Sequence, residues 1–307
     1  MKTLHYTYTA HTDGQTVESL LKEHGYSKSL INRIKLTSDG LLLCGEKVYT
    51  TRKLMAGDIL SVTFSEDVSS EHIIPVPMPL SILYEDDDLM VINKAANVPI
   101  HPSQGHFDNS LANGLAWYFE NRQEPFVFRA INRLDRDTTG LLIIARHALS
   151  GCILSDMVKQ HKIHRTYLAA VTGDLSGAPE GTITVPIARV PGSTIERMAD
   201  PLHGESAITH YRLISYSHET DSSLLEIRLE TGRTHQIRVH MKYIGHPLYG
   251  DFLYNPDYRY LNRQSLHSWK LSFPHPITGI PLHFTAPLPA DMKQFLPSLP
   301  HTAPFCI

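Results

Sequence analysis

Two short segments hold the side chains whose types and spacing could do chemistry. In the first, Ile131-Asn132-Arg133-Leu134-Asp135-Arg136-Asp137-Thr138-Thr139-Gly140, two arginines and two aspartates crowd together ahead of the apolar run Leu141 to Ile144. A carboxylate held among guanidiniums stays ionised at neutral pH and is a usable nucleophile. The same residues would equally make a surface ion-pair cluster, which is worth little energetically. The second segment runs from Glu230 to Gly245. Thr231-Gly232 breaks a strand there, and Gly245 sits where a C-terminal helix cap belongs. Between them Ile237, Met241 and Ile244 follow i, i+4, i+7 and predict a core stripe, while His235, Arg238 and Lys242 follow i, i+3, i+7 and predict a basic one. Such a stripe beside a helix N-terminus suits the tracking of phosphates, and it also suits a solvated face.

Other signatures are absent or incomplete. No phosphate-cradling Gly-Lys-Ser/Thr loop, Gly-x-Ser-x-Gly elbow, Gly-x-Gly-x-x-Gly or His-Glu-x-x-His occurs. His235, His240 and His246 fall on different helix faces or beyond the helix end, which argues against a metal site. Asp137 to Gly140 is one threonine longer than the Asp-Thr-Gly turn of aspartic proteases and has no second copy. The acidic run Glu85-Asp86-Asp87-Asp88 lacks the alternation and glycine of a calcium loop, so a solvated turn is expected.

The elements around these segments are mostly strands. Leu80 to Leu83, Leu89 to Asn93, Leu141 to Ala145, Thr166 to Thr172, Ile208 to Tyr216 and Leu224 to Leu229 read as strands, with helices expected over Ala148 to His161 and Thr234 to Tyr243. Many strands with few crossover helices argue for an α+β domain on a large mixed, mostly antiparallel sheet. Residues 65–79, acidic and then interrupted by Pro75, Pro77 and Pro79, read as a linker. Ahead of it, helices flanking Gly25-Tyr26-Ser27 and short strands at Leu41 to Leu43, Val48-Tyr49 and Ile59 to Val62 form a small unit. That divides the chain into 1–64, 65–79 and 80–307.

With 42% apolar and 19% charged residues, the chain of 307 can bury a real core, which excludes wholesale disorder. Its apolar runs fall far short of the roughly 20 residues of a membrane span, and the polar start predicts no export signal. Three scattered cysteines, Cys44, Cys152 and Cys306, predict buried thiols in a reducing cytoplasm rather than disulfides or a four-cysteine zinc site. A net charge of −3 argues against non-specific coating of nucleic acid. Positive charge is nevertheless concentrated in the small unit, where Lys22, Lys28, Arg33, Lys35, Lys47, Arg52 and Lys53 face four acids, and around Arg228 to Lys242.

Arg-Leu-Asp-Arg-Asp-Thr-Thr-Gly before an apolar strand, and Thr-Gly-Arg-Thr-His-Gln-Ile-Arg-Val-His before Gly-His-Pro-Leu-Tyr-Gly-Asp, resemble the RluA-type RNA pseudouridine synthases. Leu83 to Lys94 with His101-Pro102, Arg165 to Val171 and Leu266 to Pro276 extend the resemblance over nearly all of residues 80–290. The stretch from Thr16 through the closing Ala56-Gly57-Asp58-Ile59 resembles the S-four-like RNA-binding module, through the two helices, Gly45-Glu46-Lys47-Val48 and that closing run. The resemblance implies a cleft for a flipped-out uridine, with Asp135 as nucleophile and Tyr167 packing against the base. It implies that Arg233 pairs with the aspartate and that Ile237 lines the pocket. Arg133, Arg136, Arg238 and Lys242 would touch RNA near the cleft, and Lys28, Arg33, Lys35, Arg52 and Lys53 would do so from the module. Asn132 stands where the family usually has His, Thr139 where Ser is common, and Ala95 and Asn97 where Pro and Gly follow the lysine.

The chemistry is consistent with that implication. Isomerising uridine needs one ionised carboxylate and the exclusion of water, whereas glycoside hydrolysis needs two positioned carboxyls. The base must also leave its stack, at a cost of a few kcal/mol that aromatic packing and phosphate contacts offset. No metal or organic cofactor is required, and RNA, chiefly of the large ribosomal subunit and secondarily transfer RNA, is the expected partner of a monomer. The rival readings are a non-catalytic RNA-binding factor on the same fold and a hydrolase using Asp135 with Asp137.

Overall fold

A computed structural model describes residues 2–66, 69–70 and 72–295. It begins with a strand that the sequence analysis did not expect. β1 (Lys2–Thr9) alternates Leu4, Tyr6 and Tyr8 inward with Thr3, His5 and Thr7 outward, the period-two pattern of a half-buried strand. Helices α1 (Val17–Glu23) and α2 (Lys28–Lys35) follow, capped by Thr16 and Ser27, whose side chains accept the Ser19 and Leu30 N–H groups. β2 (Leu41–Leu43), β3 (Glu46–Lys47) and β4 (Ile59–Glu66) complete a four-stranded sheet in the order β1-β4-β2-β3. The hairpin strand is thus Glu46–Lys47 rather than Val48-Tyr49, because the turn is tight at Cys44-Gly45, both at positive φ.

The larger part contains β5 (Ile82–Glu85), β6 (Leu89–Lys94), α3 (Leu111–Glu120), β7 (Thr139–Ala145), α4 (Ala148–Lys159), β8 (His164–Thr172), β9 (Glu180–Ile183), β10 (Ile187–Arg189) and β11 (Arg197–Ala199). β12 (Thr209–Ser217), β13 (Ser222–Leu229), α5 (Gln236–Tyr243), β14 (Leu266–Pro274), β15 (Pro281–Thr285) and α6 (Ala290–Phe295) follow. Nine strands join in the order β5-β6-β7-β14-β8-β13-β12-β9, with β15 also paired to β14. Only β14 and β7 run parallel among these pairs. The expected α+β architecture on a mixed, mostly antiparallel sheet is the one observed.

β7 reads as an unbroken apolar run because both its faces are covered. Leu142 and Ile144 join a core that includes Leu115 of α3 and Met241 of α5, while Leu141, Ile143 and Ala145 pack on the other side with Leu154 of α4. The opposite side of α4 places Leu149 in the core of the N-terminal unit, among Leu20, Ile31 and Phe64. One helix therefore serves two cores. Glu66 ties them further: it accepts from Arg33 at 3.2 Å, Arg129 at 2.9 Å and the Ala148 N–H at 2.9 Å. Burial opposes the Glu66 charge, but these partners outweigh it and hold its carboxyl below the ordinary range.

The expected linker is accordingly not a free tether. Ser65 and Glu66 belong to β4, and Ile74 and Val76 hydrogen-bond Asn113 of α3 through their backbones. The acidic turn is not simply solvated either. Asp86 accepts the N–H groups of Asp88 and Leu89 and the Tyr84 hydroxyl, and Asp88 takes His147 at 2.7 Å. Asp86, Asp88 and His275 approach within ligand distance of one another. Nδ1 of His275 accepts from the Ile277 and Thr278 N–H groups, so its Nε2 carries the proton and donates to Asp86 at 2.9 Å. Cys44 is exposed and Cys152 half-buried, contrary to the expectation of buried thiols, and Cys306 lies outside the described residues. No helix among the described residues is long and apolar enough to cross a membrane.

Candidate active site

Asp135 sits in the loop entering β7, and that loop is pinned from three directions. Lys94, almost fully buried, donates to the carbonyls of Ala95, Val98 and Arg136 at 2.7–2.9 Å. Three carbonyls use every N–H of an ammonium, although burial pulls the Lys94 pKa down to about 7. Arg263 donates to the Asp137 carbonyl, and Gln264 to the Thr138 hydroxyl. Gly140 then passes directly over β14: at φ +106 a Cβ there would lie 2.1 Å from the Ser268 carbonyl oxygen, so no other residue fits.

Opposite this loop, α5 is aimed by its first residues. His235 adopts the left-handed conformation at φ 58, which starts the helix at Gln236 rather than at Thr234. Gln236 accepts from the Arg233 N–H and the Thr231 hydroxyl and donates to the Ile208 carbonyl, fixing the turn. This leaves the arginine pairing different from the expected one. Arg238, 1% exposed, donates to Asp135 at 2.8 Å and makes two bonds of 2.7 Å to Asp251, which is fully buried. Arg233 instead pairs with Glu205 and the Ser206 carbonyl, on the outer side of the turn. Arg238 also lies 5.0 Å from the Tyr254 ring centroid and 5.3 Å from that of Phe252. Burial opposes its charge, but the bonds to Asp251 and Asp135 raise its pKa further.

The predicted basic stripe is thus broken. Arg238 is spent on carboxylates and faces no solvent. His235 hydrogen-bonds Tyr254 at 2.9 Å and lies 3.8 Å from Asp135, and burial lowers its pKa so that it is neutral at pH 7. Lys242 is exposed over the Tyr254 ring. The core stripe holds, with Ile237 and Met241 buried and Ile244 packed beside them.

A cavity of about 410 Å³ opens between the two segments, lined by Asn132, Arg133, Asp135, Lys159, Arg165, Tyr167, Gly232, Arg233, Ile237 and Arg238 among others. Its size falls in the range of small-molecule sites. Tyr167, on β8, is 4% exposed, and burial raises its pKa, with Arg165 opposing and Asp135 adding to the rise. Asp137 is not in the lining. It is clamped by Arg136, so no second carboxyl of that pair faces Asp135. Arg136 is likewise directed at Asp137 rather than into the cavity. Asn132 lines the cavity but spends its amide on β7, donating to the Leu141 carbonyl and accepting the Ile143 N–H. Thr139 hydrogen-bonds His267 at 2.8 Å. Lys28, Arg33, Lys35, Arg52 and Lys53 are all exposed on the N-terminal unit, away from the cavity, and Arg33 is shared with Glu66. Asp251, Gln236 and Lys94 carry the site's geometry and were not singled out from sequence. All three stand inside the stretches that carry the family resemblance, but their roles rest on burial of polar side chains, which spacing does not reveal.

Comparison with known proteins agrees with this geometry. The profile of the RNA pseudouridylate synthase family matches residues 88–243, which contain the cavity-lining residues of both segments. An uncharacterized RNA pseudouridine synthase of Bacillus subtilis, YjbO, is 42% identical over 281 residues, covering 92% of this chain and 98% of the relative. Ribosomal large subunit pseudouridine synthase D of Escherichia coli K12 is 34% identical over 301 residues, covering 92% and 90%. Among solved structures, human RNA pseudouridylate synthase domain containing 1 superposes with a TM-score of 0.57 at 26% identity, covering 68% of this chain and 83% of its own. With a matched profile over half its length and relatives aligned nearly end to end, the chain belongs to the RNA pseudouridylate synthase family, enzymes that isomerise uridine to pseudouridine in RNA.

Proposed function

We propose that the chain modifies a uridine of large-subunit ribosomal RNA, as a cytoplasmic monomer, with Asp135 as nucleophile. The observation that carries the proposal is the Asp135–Arg238–Asp251 chain at the cavity wall. Arg238 orients Asp135, but its charge is divided between two carboxylates, so the triad keeps a net negative charge and Asp135 keeps electron density to attack. The relative named for large-subunit RNA covers this chain almost completely, which favours that substrate over transfer RNA. One chain supplies every group of the site, which supports action as a monomer.

In this reading uridine is flipped into the cavity, and Tyr167 and Ile237 pack against the base. Asp135 attacks ribose C1′ as the C1′–N1 bond breaks, the freed base turns, and C5 joins C1′ as the bond to Asp135 breaks; the proton on C5 then departs while N1 gains one. Tyr167 lines the same cavity wall as Asp135, which suits a role in removing the C5 proton. Arg133 at the rim and Arg233 on the turn supply positive charge for the strand. Lys28, Arg33, Lys35, Arg52 and Lys53 make the N-terminal unit an S-four-like RNA-binding module. The division into 1–64, 65–79 and 80–307 is taken with its first boundary moved past Glu66, the end of β4, and the segment from there to residue 79 is strapped to α3.

The test is tritium release from ribosomal and transfer RNA labelled at uracil C5, followed by mapping. Release from large-subunit RNA by the wild type, and none by Asp135→Asn, is the expected result. Conversion of transfer RNA alone would overturn the substrate assignment, and liberation of free uracil would indicate hydrolysis.

A further inference from the structure

Among the cations lining the cavity, Arg165 is in an unusual position. It lies on β8 two residues before Tyr167, so both side chains leave the same face of the strand, toward Asp135. Among the described residues, Arg238 is matched by two carboxylates and Arg233 by one, whereas no carboxylate lies within 4.0 Å of Arg165. Its Nε is buried and has no hydrogen-bond partner. Gly232 leaves the guanidinium its place: a Cβ there would stand 3.3 Å from Nη1 and 3.6 Å from Nη2.

A half-buried guanidinium with a dry, unpaired Nε is costly in the free protein. The cost is recovered when the guanidinium turns toward an entering anion whose oxygens accept from Nε and Nη together, the fork geometry that suits a phosphate. A flipped nucleotide carries one kind of anion into such a cavity. The uracil ring is neutral and finds its packing on Tyr167 and Ile237, so the guanidinium is left for the backbone. We propose that Arg165 grips a phosphate flanking the flipped uridine and so sets how deeply the nucleotide enters. This rests on the function proposed above and assigns a substrate-binding role to a residue that sequence reasoning left out.

The test couples a change in the enzyme to a change in the RNA. A synthetic stem-loop containing the uridine converted by the wild type is made in three forms: unmodified, and with a neutral methylphosphonate on either the 5′ or the 3′ side of that uridine. Arg165→Gln should lose about 30-fold in kcat/KM on unmodified RNA, within the range of a charge-assisted bond. One of the two methylphosphonates should cost the wild type a similar factor and cost Arg165→Gln almost nothing more. Arg165→Lys, which keeps the charge but not the fork, should fall between them. Melting temperatures should change little, since Arg165 gives up no carboxylate and only its contact with the Tyr167 hydroxyl. Penalties that multiply independently at both positions would overturn the inference and point to a uracil carbonyl as the ligand. A lowered melting temperature with no coupling would make Arg165 structural. A wild type that converts no uridine would sink the function reading itself, and this inference with it.

Discussion

Asp251→Asn tests the claim that Asp135 is aimed from behind. The substitution keeps shape, and the retained Oδ1 can still accept from the Leu253 and Tyr254 N–H groups and from Nη2 of Arg238. Oδ2, however, becomes an NH2 pointed at the Arg238 Nε–H from 2.7 Å, donor against donor. Removing one member of a buried ion pair costs about 3–5 kcal/mol, and the surviving bonds put this case at the lower end, about 3 kcal/mol. Unfolding entropy of about 2.1 cal/mol/K per residue gives about 0.6 kcal/mol/K for a cooperative unit of this length, so the melting temperature should fall by about 5 °C. Arg238, held to position 251 by Nη2 alone, would then shift and carry Asp135 with it, and a displacement of about 1 Å at a reacting group costs on the order of a hundredfold in rate. Calorimetry and single-turnover tritium release measure the two effects separately. The expected signature is a kcat lowered about a hundredfold with KM nearly unchanged. A variant that melts at the wild-type temperature and turns over at the wild-type rate would refute the reasoning. One that melts low but turns over normally would reduce Asp251 to a stabilising residue.

Two further outcomes follow from other parts of the molecule. Tyr167→Phe should keep the packing surface and the melting temperature while slowing product formation at least tenfold; equal rates under single turnover would leave the hydroxyl without a role. Glu66→Gln should loosen the N-terminal unit from α4. Because the Glu66 pKa is lowered on folding, its stabilisation is complete above its unfolded value of 4.5 and is lost as pH falls through the folded one. Melting curves between pH 3 and 7 should therefore show the gap between wild type and variant narrowing in acid and widening toward neutrality; a constant gap would place the clamp elsewhere.

Much of the catalytic domain is legible in its chain because the signals are local. β7 declares itself by an apolar run covered on both faces, α5 by Ile237 and Met241 at helical spacing, and the Asp135 turn by its charge density. β1 escaped because its inward residues are two tyrosines and one leucine among threonines, a pattern that looks polar until β4 and α4 cover it. α3 escaped for a related reason: Asn113 and Gly114 interrupt its apolar face. There the amide caps the helix through Ser110 and bonds the Ile74 carbonyl, and Gly114 makes room for Met78.

The choice between Arg233 and Arg238 was not legible at all. Both are arginines in one segment, and composition gives no preference. The left-handed residue His235 turns the chain between them, so Arg233 faces Glu205 and Arg238 faces inward. Whether an inward arginine is tolerable then depends on Asp251, thirteen residues further on. The same holds for the two parts of the chain. Sequence marked a small basic unit, an acidic proline-containing stretch and a larger domain, all from nearest-neighbour patterns. That Glu66 would bridge Arg33 and Arg129, and that Leu149 would complete the core of the first unit, depends on which surfaces meet. Side-chain type and spacing set which residues can carry charge, stack or turn the chain; only burial and distant partners decide which of those charges are spent on the fold and which, like that of Arg165, are left for a substrate.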